Sequence, residues 1–249
     1  MKVVYHPRYE EVYTSDPAAE PGRMEAIREE ISEIFEVVTP EPASPNDLSL
    51  VHNERHIKDI QSRGLIYELA LLAAGGAIEA SRLAMAGEPA FGAIRPPGHH
   101  ASTDHCWGFC FFNNVAIAVE RLRRESAIEN VVILDIDLHY GDGTVNIFRG
   151  VSEVVYLRPD DRSREAYIES VARLLDTVQA DIIAVSAGFD LHEDDWGGLL
   201  KTDDYETIGR EVARFSDRAC RGRRFAVLEG GYNHTVLGGN VRALLEGMS

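Results

Sequence analysis

Six short apolar runs punctuate the chain: Lys2–Tyr5, Ala90–Ile94, Asn130–Ile136, Glu153–Leu157, Asp181–Ala187 and Arg224–Leu228. Stretches with helical character separate them. Met24, Ile27, Ile31, Ile34 and Phe35 keep an i, i+3/i+4 spacing, Leu65–Ala86 is rich in Ala and Leu, and further helical patterns cover Asn114–Arg124, Arg164–Val178 and Asp203–Cys220. Strands that alternate with helices pair in parallel, because each crossover returns the chain to the same edge of the sheet. The expectation is an α/β fold with a mainly parallel β-sheet and helices on both faces. With no internal repeat and no linker beyond the proline-stiffened Thr39–Pro45, residues 1–249 read as a single domain.

Several function classes are disfavoured. No apolar run is long enough for a membrane span, and Met1–Pro7 lacks the apolar core of a secretory signal. A formal charge of −16 repels polyanions, which argues against a nucleic-acid partner and favours cationic ones. Three cysteines (Cys106, Cys110 and Cys220) form no disulfide framework, which suits a reducing cytoplasm.

The residues that follow four of the runs carry the chemistry. Arg95-Pro96-Pro97-Gly98-His99-His100 follows the second run. Asp135, Asp137, His139 and Asp142 crowd the end of the third, Asp190 follows the fifth, and Glu229-Gly230-Gly231-Tyr232 follows the last. In open parallel sheets ligands bind beyond the carboxyl ends of the strands, so all four sets are expected on one edge. On an extended segment Asp135, Asp137 and His139, spaced i, i+2, i+4, would share a face. Two carboxylates and an imidazole crowded together call for a cation, and with Asp190 from a neighbouring strand, Asp137 and His139 supply three ligands and leave a position open for water. The competing reading of the same stretch is a strand end with capping aspartates. His99 and His100 could flank a reacting carbonyl, with Asp135 and Asp142 free to fix their tautomers. Tyr232 between glycines and a turn could donate a hydrogen bond to a developing oxyanion. A metal-bound water, a histidine base and a phenol together suit amide hydrolysis.

These segments, RPPGHHA (Arg95–Ala101), GFCFFNNVAIA (Gly108–Ala118), DIDLHYGDGT (Asp135–Thr144), AGFD (Ala187–Asp190) and LEGGYN (Leu228–Asn233), resemble the histone deacetylase superfamily, which includes acetoin-utilisation proteins and acetylpolyamine amidohydrolases. The resemblance implies the arginase/deacetylase fold and a zinc ion, or ferrous iron, held by Asp137, His139 and Asp190. It implies His99 and His100 as tandem catalytic histidines with His100 as general base, supported by Asp135 and Asp142 respectively. Tyr232 would polarise the acetyl carbonyl, Gly108 and Phe109 would line an acyl-lysine tunnel, and Arg23 would reach its inner end. It also implies a structural potassium ion near the Asp135–His139 backbone. The substrate would be an N-acetylated amine, either acetyl-lysine in a protein or an acetylpolyamine.

The chain departs from that pattern in places. Tyr140 stands where many relatives carry a second histidine. Tyr156-Leu157-Arg158 replaces the usual Ser-Leu-His, so a potassium site would lose its hydroxyl ligand. Only Gln61–Tyr67 connects two helical patterns where relatives place a substrate-gripping loop, and Arg158–Arg164 lacks the glycine-rich loop that brings a second tunnel aromatic. The expectation is an open groove, or one completed by a second copy of the chain in a homo-oligomer. His105, Cys106 and Cys110 lack a fourth metal ligand and read as structural, and His192–Asp195 reads as a solvated helix start. Two other functions fit the same fold and site: an arginase-like ureohydrolase with two metal ions, and a non-catalytic protein that binds acylated amines.

Overall fold

The structure is a computed structural model that describes residues 1–125 and 128–249. Seven parallel strands form one sheet in the order β2-β1-β3-β7-β6-β4-β5: β1 Lys2–Val4, β2 Glu36–Val38, β3 Ala90–Gly92, β4 Val131–Asp135, β5 Val154–Leu157, β6 Ile182–Ala187 and β7 Arg224–Leu228. The helices are α1 Arg23–Ile31, α2 Pro45–Leu48, α3 Glu54–Gln61, α4 Leu65–Met85, α5 Asn114–Arg124, α6 Asp142–Ile147, α7 Arg164–Leu175, α8 Thr202–Ala219 and α9 His234–Met248. Strand β6 is covered by both α5 and α8. Helix α5 packs on α4, whereas α8 packs on α7 and α9, so helical layers flank both faces of the sheet. None of these helices is long and apolar enough to cross a membrane.

Burial follows position in the sheet. Every residue of β3, β4, β6 and β7 is buried, which is why these strands show as predominantly apolar runs in the sequence. Edge strand β2 is short and half-exposed, and the sequence pattern assigns its neighbourhood to a helix instead. That helix ends at Ile31, and Ile34 is exposed at 49%, so the apolar spacing beyond Ile31 does not reflect a helix face. The loop after β2 packs against α4, with the Ala43 N–H bonded to the Leu71 carbonyl. It gives way to α2 at Pro45, capped by Ser44 and Asp47.

Two further elements differ from the sequence reading. No helix starts at His192. The chain there forms a turn in which His192 bridges to Leu200, and α8 begins only at Thr202. Helix α9 carries Gly238, Gly239 and Gly247 in its span. An added Cβ on Gly238 or Gly247 would run into a backbone carbonyl, Ala26 O or Glu206 O, because α9 packs closely on α1 and α8.

Candidate active site

The four adjacent central strands β3, β7, β6 and β4 deliver the expected residues to one edge of the sheet. The loop after β3 carries His99 and His100, β4 runs into Asp137 and His139, β6 into Asp190, and β7 into Tyr232. The segment from Asp135 to His139 is not extended as the sequence spacing suggests. Strand β4 ends at Asp135, whose carboxylate accepts the Asp137 N–H at 3.0 Å, and Asp137 in turn accepts the His139 N–H at 2.8 Å. Two successive aspartate turns of this kind bend the chain, so Asp135 points toward His99 while Asp137 and His139 turn toward Asp190.

The residues of the last group fit a divalent metal. Their ligand atoms all lie within 4.8 Å of one another. His139 Nδ1 sits 3.3 Å from Asp137 Oδ1 and 3.1 Å from Asp190 Oδ2. Ligands about 2 Å from a tetrahedral ion stand roughly 3.3 Å apart, so the observed spacing leaves little rearrangement to make. The charges agree. Hydrogen bonds donated to Asp137 and Asp190 push His139 up to about 10, and burial beside Asp137 pushes Asp190 up to about 6. A cation between these groups would take over the role of that proton.

His100 and His99 are held differently. His100 Nδ1 lies 2.7 Å from Asp142 Oδ1. Although burial opposes its charge, Asp142 is held low by hydrogen bonds from His100 and Trp107, so it can only accept. His100 Nδ1 therefore carries a proton, while burial and the neighbouring His99 lower the pKa of the ring and keep it neutral. The ring lines the cavity, and its Nε2 makes no hydrogen bond among the described residues. His99 Nδ1 lies 3.1 Å from Asp135 Oδ2, and its Nε2 lies 3.7 Å from Asp137 Oδ1. Burial opposes its charge too, but Asp137 and Asp135 outweigh burial and hold it well above the ordinary histidine range. The Tyr232 phenol is pushed far up by burial and by Asp137, so it stays protonated and can donate.

One cavity joins these groups, lined by His99, His100, His139, Tyr232, Gly108 and Phe109 together with Trp107 and Trp196. Gly108 has φ +59°, and a Cβ there would collide with the His100 ring, so glycine lets the loop close over the histidine. The two tryptophans are aromatic walls that the sequence reading did not single out. Trp107 packs at a tilt on His100, ring centres 3.9 Å apart, and its indole N–H reaches Asp142 Oδ2 at 2.9 Å. Trp196 stacks on Tyr232 at 4.0 Å, and Phe109 meets the same ring edge-on at 6.0 Å. The second aromatic that the short Arg158–Arg164 connection does not bring thus comes from the β6–α8 turn. That turn is also a support. Asp195 Oδ2 accepts the N–H groups of Tyr232 and Asn233 at 2.8 and 2.7 Å, so it fixes the Tyr232 backbone instead of facing solvent.

Other residues lie around this centre. Arg23 is fully buried and donates to the carbonyls of Gly231 and Glu229 at 2.8 and 2.7 Å, with its guanidinium 5.5 Å from the Tyr232 ring. Glu229, also fully buried, accepts the N–H groups of Gly98 and His99. Cys110 lies with His99 and Glu229 and apart from His105, which pairs with Asp104 at the surface. Tyr140 is half-exposed and packs on Tyr156.

A histone deacetylase domain model matches residues 18–159 and 158–248. A probable deacetylase of Archaeoglobus fulgidus is 32% identical over 282 residues, which cover 92% of this chain and 77% of that protein. An acetylpolyamine amidohydrolase of Mycoplana ramosa is 32% identical over 222 residues, covering 74% of this chain and 63% of its own length. The crystal structure of the HDA15 HD domain superposes with a TM-score of 0.84 over 99% of this chain and 90% of that one. At 21% identity that likeness is one of fold.

Proposed function

The chain belongs to the histone deacetylase family, and from that premise we propose that residues 1–249 act as one metal-dependent amidohydrolase domain that removes the acetyl group from an N-acetylated alkylamine. The observation that carries this reading is the cavity where the neutral His100, buttressed by Asp142, and the protonated Tyr232 face the Asp137, His139 and Asp190 group. A divalent ion held by those three residues, zinc or ferrous iron, would supply Lewis-acid polarisation of the carbonyl and acidify water.

The residues of the chain account for the rest of the reaction. His100 takes the proton of the attacking water at Nε2, and Asp142 stabilises the imidazolium that results. The Tyr232 hydroxyl donates to the carbonyl oxygen as that oxygen gains charge. An amine leaves poorly as an anion, so a protonated histidine of the pair returns the proton to nitrogen. Gly108 and Phe109, with the indoles of Trp107 and Trp196, hold the alkyl arm. One chain provides all these walls. Both an acetyl-lysine side chain and an acetylpolyamine present such an arm, and the acidic molecule favours a cationic one. A cytoplasmic setting suits the three free thiols.

The test is acetate release by zinc-loaded protein from an acetyl-lysine peptide and from a monoacetylated polyamine, with metal counted per chain. One ion per chain and release from at least one substrate are expected. Two ions per chain would favour the ureohydrolase reading, and metal-loaded protein that releases no acetate from either substrate would favour a binding role.

A further inference from the structure

The backbone behind the metal-ligand residues is where the resemblance places a potassium ion, and this chain fills that place with its own side chains. Strand β5 pairs with β4 in the register Leu134↔Leu157, so residue 158 emerges beside the Asp135–His139 segment. There Arg158 Nη2 donates to the Leu138 carbonyl at 2.7 Å, and Nη1 lies 3.1 Å from Asp160 Oδ1. The Ile136 carbonyl accepts from the Tyr167 hydroxyl at 3.4 Å. The hydroxyl of residue 156 belongs to a tyrosine, which donates to Asp135 Oδ2 at 2.9 Å and accepts the Gly141 N–H at 3.0 Å. A monovalent cation needs several carbonyl or hydroxyl oxygens that are free to turn toward it. The Ile136 and Leu138 carbonyls and the Tyr156 hydroxyl are already bonded, and a guanidinium stands against the Leu138 carbonyl. Those oxygens are therefore not free for potassium.

We propose that the Arg158 guanidinium takes the place of a monovalent cation behind the metal site and acts as a positioning residue for the Asp137–His139 loop. The Leu138 peptide lies between two of the residues assigned to the metal. Its N–H donates to the third, reaching Asp190 Oδ1 at 3.0 Å, and its carbonyl is held by Arg158. The two peptide units that flank Leu138 are therefore each fixed by one bond. Asp135, Asp137 and Asp190 are buried at 0 to 2% exposure, and the side chain of Arg158 is itself only 22% exposed. The guanidinium beside this buried acidic group is covalently part of the chain, so no change of salt can remove it. An exchangeable ion in the same place would make the loop depend on the cation in the medium.

This inference rests on the reading of Asp137, His139 and Asp190 as metal ligands, and it is tested by salt substitution. Thermal unfolding and zinc affinity are measured in potassium, sodium and tetramethylammonium chloride at equal ionic strength, for the wild type, Arg158→Ala and Arg158→Lys. The wild type should melt within about 2 °C in all three salts. Arg158→Ala should bind zinc at least about tenfold more weakly in tetramethylammonium, with affinity and melting point recovering as potassium is added. Arg158→Lys, which keeps the charge, should lie between the two and stay indifferent to salt. Saturable stabilisation of the wild type by potassium would overturn the proposal, as would an Arg158→Ala protein with unchanged zinc affinity and salt response. A wild type that binds no zinc would sink the metal reading itself, while its melting in the three salts would still decide whether a cation site exists.

Discussion

Replacing Glu229 with glutamine should alter the pH dependence of stability more than stability at low pH. Glu229 is fully buried beneath the histidine loop, where Oε2 accepts the N–H groups of Gly98 and His99 at 2.7 and 3.1 Å, and Oε1 has no partner among the described residues. Burial pushes its carboxyl from 4.5 up to about 7, against the charge on His99 and the Gly98 hydrogen bond, which pull it down. A carboxyl raised in the folded state binds its proton more tightly there than in the unfolded chain. Its contribution is therefore complete below the unfolded value and is lost as pH rises through the folded one. At 1.36 kcal/mol per pH unit the loss comes to roughly 3 kcal/mol. Glutamine keeps an oxygen for both N–H groups and cannot ionise, so that slope should vanish. Glu229→Leu leaves both donors unpaired, at about 1–3 kcal/mol each, and should be destabilised at every pH. Urea unfolding of the metal-free protein between about pH 5 and pH 8 reads both effects. Equal slopes in wild type and Glu229→Gln, or a glutamine variant as weak as the leucine one, would refute the reasoning.

Gly188→Ala should lower zinc affinity by at least about tenfold, because its Cβ would overlap Asp137 Oδ2 and stand 2.5 Å from Asp137 Cα. Bound metal measured by elemental analysis checks this, and full occupancy at wild-type affinity would count against it. Tyr156→Phe removes the donor to Asp135 and the acceptor of the Gly141 N–H, and should cost about 1–3 kcal/mol in urea unfolding. An unchanged midpoint would mean that water satisfies both groups.

What could be read from the sequence depended on how far each feature was local. Strands such as Ile182–Ala187 are buried on both faces, so they are mostly apolar and show as runs. The parallel connections then put every strand's carboxyl end on one edge, and motifs separated by dozens of residues could be assigned to a common site before any coordinates. Strand β2 gave no such run, because an edge strand buries little. Helix α9 hid behind glycines, whose poor propensity is offset by close packing against α1 and α8. The acidic run at His192–Asp195 suggested a solvated face, but Asp195 is fixed by two N–H groups that lie far away in sequence. Trp107 and Trp196 carried no periodic signal, and only the fold shows that they pack on His100 and Tyr232. Arg158 could be seen to depart from the family pattern, while its bond to Leu138 depends on the pairing of β5 with β4.

The most direct test of the central claim is turnover by zinc-loaded Tyr232→Phe beside the wild type, with metal content and melting point measured on the same samples. The phenol lies outside the group assigned to the metal and faces the cavity, so the variant should fold and hold one ion per chain. It should lose about 2.7–4 kcal/mol of transition-state stabilisation, a fall in kcat of roughly a hundredfold to a thousandfold. Wild-type turnover in a metal-loaded, folded Tyr232→Phe protein would contradict the assignment of this site as a deacetylase centre.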